Sequence, residues 1–117
     1  MWYETKENSN LCCKPKLLWT NSDPAVAFEA NTTISLDLSK YDGVIIQFRR
    51  LSKYDTISCR VLMLKGETNY GVASTSDTDT RTRWISSVSD SGVTFGDCSN
   101  NNGSIPTKIY GINIELT

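Results

Sequence analysis

The chain of 117 residues has no histidine. Without one, neither a Ser-His-Asp nor a Cys-His catalytic arrangement can be assembled. Its four cysteines, Cys12, Cys13, Cys59 and Cys98, include no C-x-x-C pair, so a zinc site would need four thiolates at unusual spacing. No run approaches the ~20 apolar residues that a membrane helix requires. The opening residues Met1 to Asn10 are polar and carry no signal-peptide core, which leads us to expect a cytosolic product not exported by that route. A marked excess of either charge is missing too. Twelve basic against thirteen acidic residues leave a formal charge of -1, so no global field draws in nucleic acid or an anionic membrane. A neutral sugar surface or a protein partner stays open. Helical segments with credible caps are also absent.

What is present is strand chemistry. The sequence is 38% apolar and 21% charged, rich in Ser, Thr and Asn, a mix that favours short strands and turns. In Thr33 to Leu38 the side chains of Ile34, Leu36 and Leu38 alternate with polar ones. In Val44 to Arg49, Val44, Ile46 and Phe48 share one face while Ile45, Gln47 and Arg49 take the other. The short link Ser39-Lys40-Tyr41-Asp42-Gly43 ends in Asp-Gly and predicts a hairpin, hence a meander that starts with the strand Leu17-Leu18-Trp19.

Further on, Thr56 to Lys65 is the longest apolar strand, with Ile57, Cys59, Val61 and Met63 on one face. Leu62 and Leu64 make its second face partly apolar, so a central place, or cover from a loop or another subunit, is expected. Cys59 reads as a small core residue, and the cytosolic setting favours thiols over disulfides. Tyr70 to Ser74, Arg81 to Val88, Val93 to Phe95 and Thr107 to Leu116 complete the set, with Gly111 expected at a bulge or a close approach. Turn signals recur about every ten residues. The reading is an all-β chain: an antiparallel β-sandwich or jelly-roll-like barrel of about eight short strands over 15–117. Residues 1–14 lack periodicity and read as a flexible arm or junction.

Little here carries chemistry. A glycosidase would need two carboxylates about 5–9.5 Å apart across one cleft, but most acidic residues sit in turns, where Asp serves local hydrogen bonds. Asp77-x-Asp79 lacks the Gly and distal Glu of a calcium loop and reads as a solvated turn. No enzyme activity, metal or cofactor is implied. Two glycosylation sequons, at Asn31 and Asn102, would go unused in a cytosolic product.

The ligand candidates are aromatics beside polar loops, since a sugar ring has an apolar face that stacks on them while Asp, Asn and Arg bind its hydroxyls. Tyr41, Tyr54, Tyr70 and Trp84 qualify. The loop around Ser74 to Trp84 is the favoured surface because exposed loops on a rigid scaffold concentrate recognition. Arg81 and Arg83 alternate onto the face opposite Trp84. The expectation is that Arg81, Arg83, Asp77 and Asp79 contact ligand and that Trp84 lies in the core.

The order of motifs also carries a resemblance. LLWTN, a proline turn, TISLDLS, YDG, then GVTFGD (Gly92 to Asp97) and IPTKIYGI (Ile105 to Ile112) resemble the C-terminal tip domain of tail-fibre or minor structural proteins of gut-bacterial phages. The similarity spans Lys16 to Ile114 and rests on structural motifs. It implies a non-enzymatic attachment domain, made in the host cytoplasm and carried on the virion tail. It further implies a homo-oligomer, a trimer, that recognises a bacterial surface glycan or protein. The alternatives are a purely structural domain that caps or trimerises a fibre, and a carbohydrate-binding module of a secreted enzyme.

Overall fold

The computed structural model describes residues 14–50, 57–75, 80–99 and 104–114. Within them lie eight strands: β1 Lys16–Thr20, β2 Thr32–Ser35, β3 Gly43–Arg50, β4 Ile57–Leu64, β5 Thr68–Thr75, β6 Thr80–Ser89, β7 Gly92–Cys98 and β8 Ser104–Ile112. They form two antiparallel four-stranded sheets, a first in the order β1-β8-β3-β4 and a second in the order β2-β7-β6-β5. The pairs β1 with β8 and β2 with β7 wind the chain's two ends against each other as in a jelly roll. The inner strands pair instead as a β3–β4 hairpin and a β5–β6–β7 meander.

Period-two alternation explains the core. Val44, Ile46 and Phe48 of β3, Met63 of β4 and Ile109 of β8 face Val72, Ile85, Val88, Val93 and Phe95 of the second sheet, all buried in one cluster. Each such side chain contributes about 1.5–3 kcal/mol on burial. At one end of the sandwich the aromatics run as a file of edge-to-face contacts, Trp19 to Phe28 at 6.5 Å, Phe28 to Phe95 at 5.3 Å and Phe95 to Phe48 at 6.4 Å between ring centroids. A register shift between Leu17 and Trp19 lets two neighbours, Leu18 and Trp19, both pack on the core.

Several expectations are corrected. The link 39–43 is not a hairpin, because β2 and β3 belong to different sheets. Leu36 and Leu38 leave the strand ladder and donate their amides to Ser91 and Asp90 carbonyls at 3.0 and 2.8 Å, while buried Leu38 plugs the gap between the sheets. Asp37 then accepts from the Ser39 hydroxyl at 2.6 Å and the Ser39 amide at 3.0 Å, which holds its carboxyl below the ordinary aspartate value. Those bonds turn the chain towards β3.

β4 is an edge strand and not a central one. Its second face stays open, with Leu62 and Leu64 exposed. The outward face of β3 is not simply wet either: Gln47 is buried, its side chain accepting from Arg60 Nε at 3.1 Å and donating to Thr107 Oγ1 at 3.3 Å. β8 starts at Ser104, ahead of the expected Thr107. Gly111 is a close approach, but of side chains: a β-carbon there would sit 2.8 Å from Leu18 and from the Tyr41 ring.

Candidate functional site

β6 decides which residues meet solvent. Its neighbours β5 and β7 hold it in the middle of the second sheet, so successive side chains must point to the core and away from it. Arg83 and Ile85 point inward and are fully buried, whereas Trp84 between them points outward and is 47% exposed. This reverses the sequence-based assignment of both residues. Two register slips against β7, on either side of Ile85, reset the alternation so that Val88 also faces inward.

Arg83 is buried and serves as a structural tie. Its Nε donates to the Ser104 carbonyl at 3.0 Å, Nη1 to Gly96 at 2.8 Å and Nη2 to Phe28 at 2.6 Å, so one guanidinium joins the first sheet, the second sheet and the 21–31 segment. The guanidinium carbon also lies 5.4 Å from the centroid of the Phe28 ring. Burial pushes the Arg83 pKa below its ordinary value, and Cys98, Asp97 and Glu29 act against that shift. The planar fork supplies donors in the directions that three carbonyls need, which an ammonium group would not.

Trp84 builds a different feature. A β-carbon on Gly71 of β5 would lie 3.0–3.2 Å from three consecutive ring carbons, Cε3, Cζ3 and Cη2. Such even distances mean that the ring lies face-on over the Gly71 backbone, since an edge-on ring would leave its flanking atoms much further off. One face of the indole therefore covers the sheet. The other is open.

The surroundings of the ring are low and polar. On the β7 side Gly96 stands between Trp84 and the Ser86 hydroxyl. Ala73 and Asp97 are exposed beside it, Thr82 and Ser86 are half-buried, and on the same outward side Thr94 and Thr33 share a hydroxyl hydrogen bond of 2.9 Å. Pairing of Ile85 with Phe95 on the inward side fixes Thr94 as outward. The result is a flat aromatic platform on a floor of glycine, with hydroxyls and one carboxylate around it.

The other candidates do not gather there. Arg81 is half-buried and shares the Arg83 side of β6 by register. Tyr70 is 46% exposed, but it neighbours Gly71 along β5 and so belongs to the opposite side from Trp84. Tyr41 is half-buried against the core, with its ring over Gly111. Asp77, Asp79 and Tyr54 lie outside the described residues. Among the described residues no group of three or more His, Cys, Asp or Glu side chains is placed to hold a metal ion. No family model matches the chain, and no curated protein or solved structure matches it.

A second surface lies on the outside of the first sheet. Cross-strand register lines up Leu17, Tyr110, Ile45 and Leu62 as one row across all four strands. Leu17 and Leu62 are each 47% exposed, and Leu64 at 38% extends the row at the β4 edge.

Proposed function

We propose that this domain is a non-enzymatic attachment module that holds a bacterial surface glycan on the open face of its second sheet, as the tip of a phage tail fibre would. The observation that carries the reading is Trp84. A half-exposed indole whose other face is occupied by Gly71 has its orientation fixed in advance, which reduces the ordering cost of binding. A sugar ring offers a matching apolar face, and the nearby Ser, Thr and Asp side chains suit its hydroxyls. The resemblance to tail-fibre tip domains supports the host-attachment setting. A carbohydrate-binding module of an enzyme would use the same surface.

The test is retention. Labelled domain should remain on intact gut bacteria of a susceptible strain, and polysaccharide extracted from that strain should displace it. Retention that survives protease treatment of the cells but not removal of their polysaccharide supports a glycan. Loss on protease treatment alone would point to a protein receptor.

The apolar row on the first sheet favours a second role alongside the first, association into a homo-oligomer, for which we keep the trimer. Burying Leu62 and Leu64 against another copy would cover the exposed face of an edge strand. Light scattering at tens of micromolar is expected to give a mass above that of one chain, and Leu62→Asp to return it to one. A monomer before the substitution contradicts this role.

A further inference from the structure

The geometry around Trp84 points to a narrower class of ligand: an uncharged, extended polysaccharide, bound by the side of its chain and not by its end. This rests on the glycan reading above. Three observations define the class. First, the ring lies parallel to the sheet over Gly71 and is flanked by Gly96 and Ala73, so no tall side chain from these positions walls it off along β5 or β7. A terminal sugar is ordinarily gripped in a concave site that buries most of its surface. An open platform instead lets a chain enter on one side and leave on the other.

Second, the flat indole face matches sugars whose hydroxyls and linkages are equatorial. In such sugars the axial C–H bonds leave each ring face apolar, and equatorial linkage keeps successive rings in a ribbon. An α-linked helix curves away from a flat surface after one or two residues.

Third, the charge is wrong for acidic glycans. By register the outward neighbours of Trp84 are Thr82 and Ser86 on its own strand, Ala73 on β5 and Asp97 on β7, with no cation among them. The one arginine at the centre of β6, Arg83, is turned inward and engaged by three carbonyls. A uronate or phosphate group on the ligand would therefore meet the exposed Asp97 carboxylate, while the nearby Arg83 cation is buried and engaged by three carbonyls, and like charges repel at such range.

The experiment is affinity electrophoresis of the full chain through native gels that contain one polymer each. Mixed-linkage β-glucan and hydroxyethylcellulose represent neutral equatorial ribbons, glycogen a neutral α-glucan, and alginate and polygalacturonate acidic chains. Retardation by a neutral ribbon at a concentration at least tenfold below that needed with the acidic polymers is expected. Cellohexaose should relieve it where cellobiose at equal mass does not. Equal or stronger retardation by an acidic polymer or by glycogen would overturn the inference while leaving the glycan reading in place. Retention on bacterial cells without retardation by either neutral ribbon would overturn it as well. Failure of every polymer together with failure to hold polysaccharide-coated cells would remove both.

Discussion

Arg83→Ala is expected to destabilise the domain by about 3–5 kcal/mol, out of the ~5–15 kcal/mol that a domain of this kind possesses. The substitution removes donors to the carbonyls of Ser104, Gly96 and Phe28, and it also opens a cavity beside the Phe28 ring. An unsatisfied buried polar group costs about 1–3 kcal/mol, and three carbonyls depend on this one side chain. Some relaxation will offset part of the sum. Arg83→Lys should recover only a fraction, because a single ammonium cannot reach three acceptors in a plane. Urea denaturation with the two variants and the parent measures the effect. A midpoint unchanged by Arg83→Ala would mean that the tie contributes nothing, and the assignment of Arg83 to structure would fall.

The contrast between Arg83 and Trp84 shows how far the sequence could be read. Alternation along β6 is legible, and it correctly separates Arg83 from Trp84. Which side turns inward is not. Both faces of the segment carry a mixture, Trp84 and Val88 on one and Ile85 on the other, so hydropathy alone sends tryptophan in and arginine out. The register slips around Ile85 are what allow Ile85 and Val88, three positions apart, to be buried together. Nothing local in the sequence announces them. Burial of Arg83 depends on carbonyls from three distant segments, and a strand pattern contains no record of those. One clue did exist: Gly71, in an otherwise unremarkable strand, marks a close approach, and the group that approaches is the indole.

Elsewhere the strands were easier than their partners. The inward residues of β3 followed period two, and so did Ile34, Leu36 and Leu38. The Asp-Gly signal at Asp42-Gly43 suits a hairpin, yet the chain uses that turn to change sheets. Asp42 donates its amide to the Ile112 carbonyl at 2.9 Å and accepts from the Lys65 amide at 3.0 Å, tying it to β8 and to the end of β4 instead of β2. Turn chemistry fixes a bend, whereas the sheet that receives the next strand is chosen by long-range packing. The edge position of β4 was hidden for the same reason. Its two apolar faces suit a central strand as well as an edge strand covered by another molecule.

The most direct measurement of the central claim compares Trp84→Ala with the parent for both binding and stability. The residue is 47% exposed and its ring packs face-on over Gly71, so its removal should cost about 1 kcal/mol, the middle of the range for point substitutions and well below that for a buried aromatic. Binding should respond far more. If the platform is the anchor, loss of at least about 2 kcal/mol is expected, roughly a 30-fold weaker hold on the polysaccharide that retains the parent. Titration calorimetry or affinity electrophoresis reads the first quantity and thermal melting the second. Loss of binding with a melting temperature within a few degrees of the parent is the result that the account predicts. Undiminished binding by Trp84→Ala, or a domain that unfolds on losing this side chain, would contradict it.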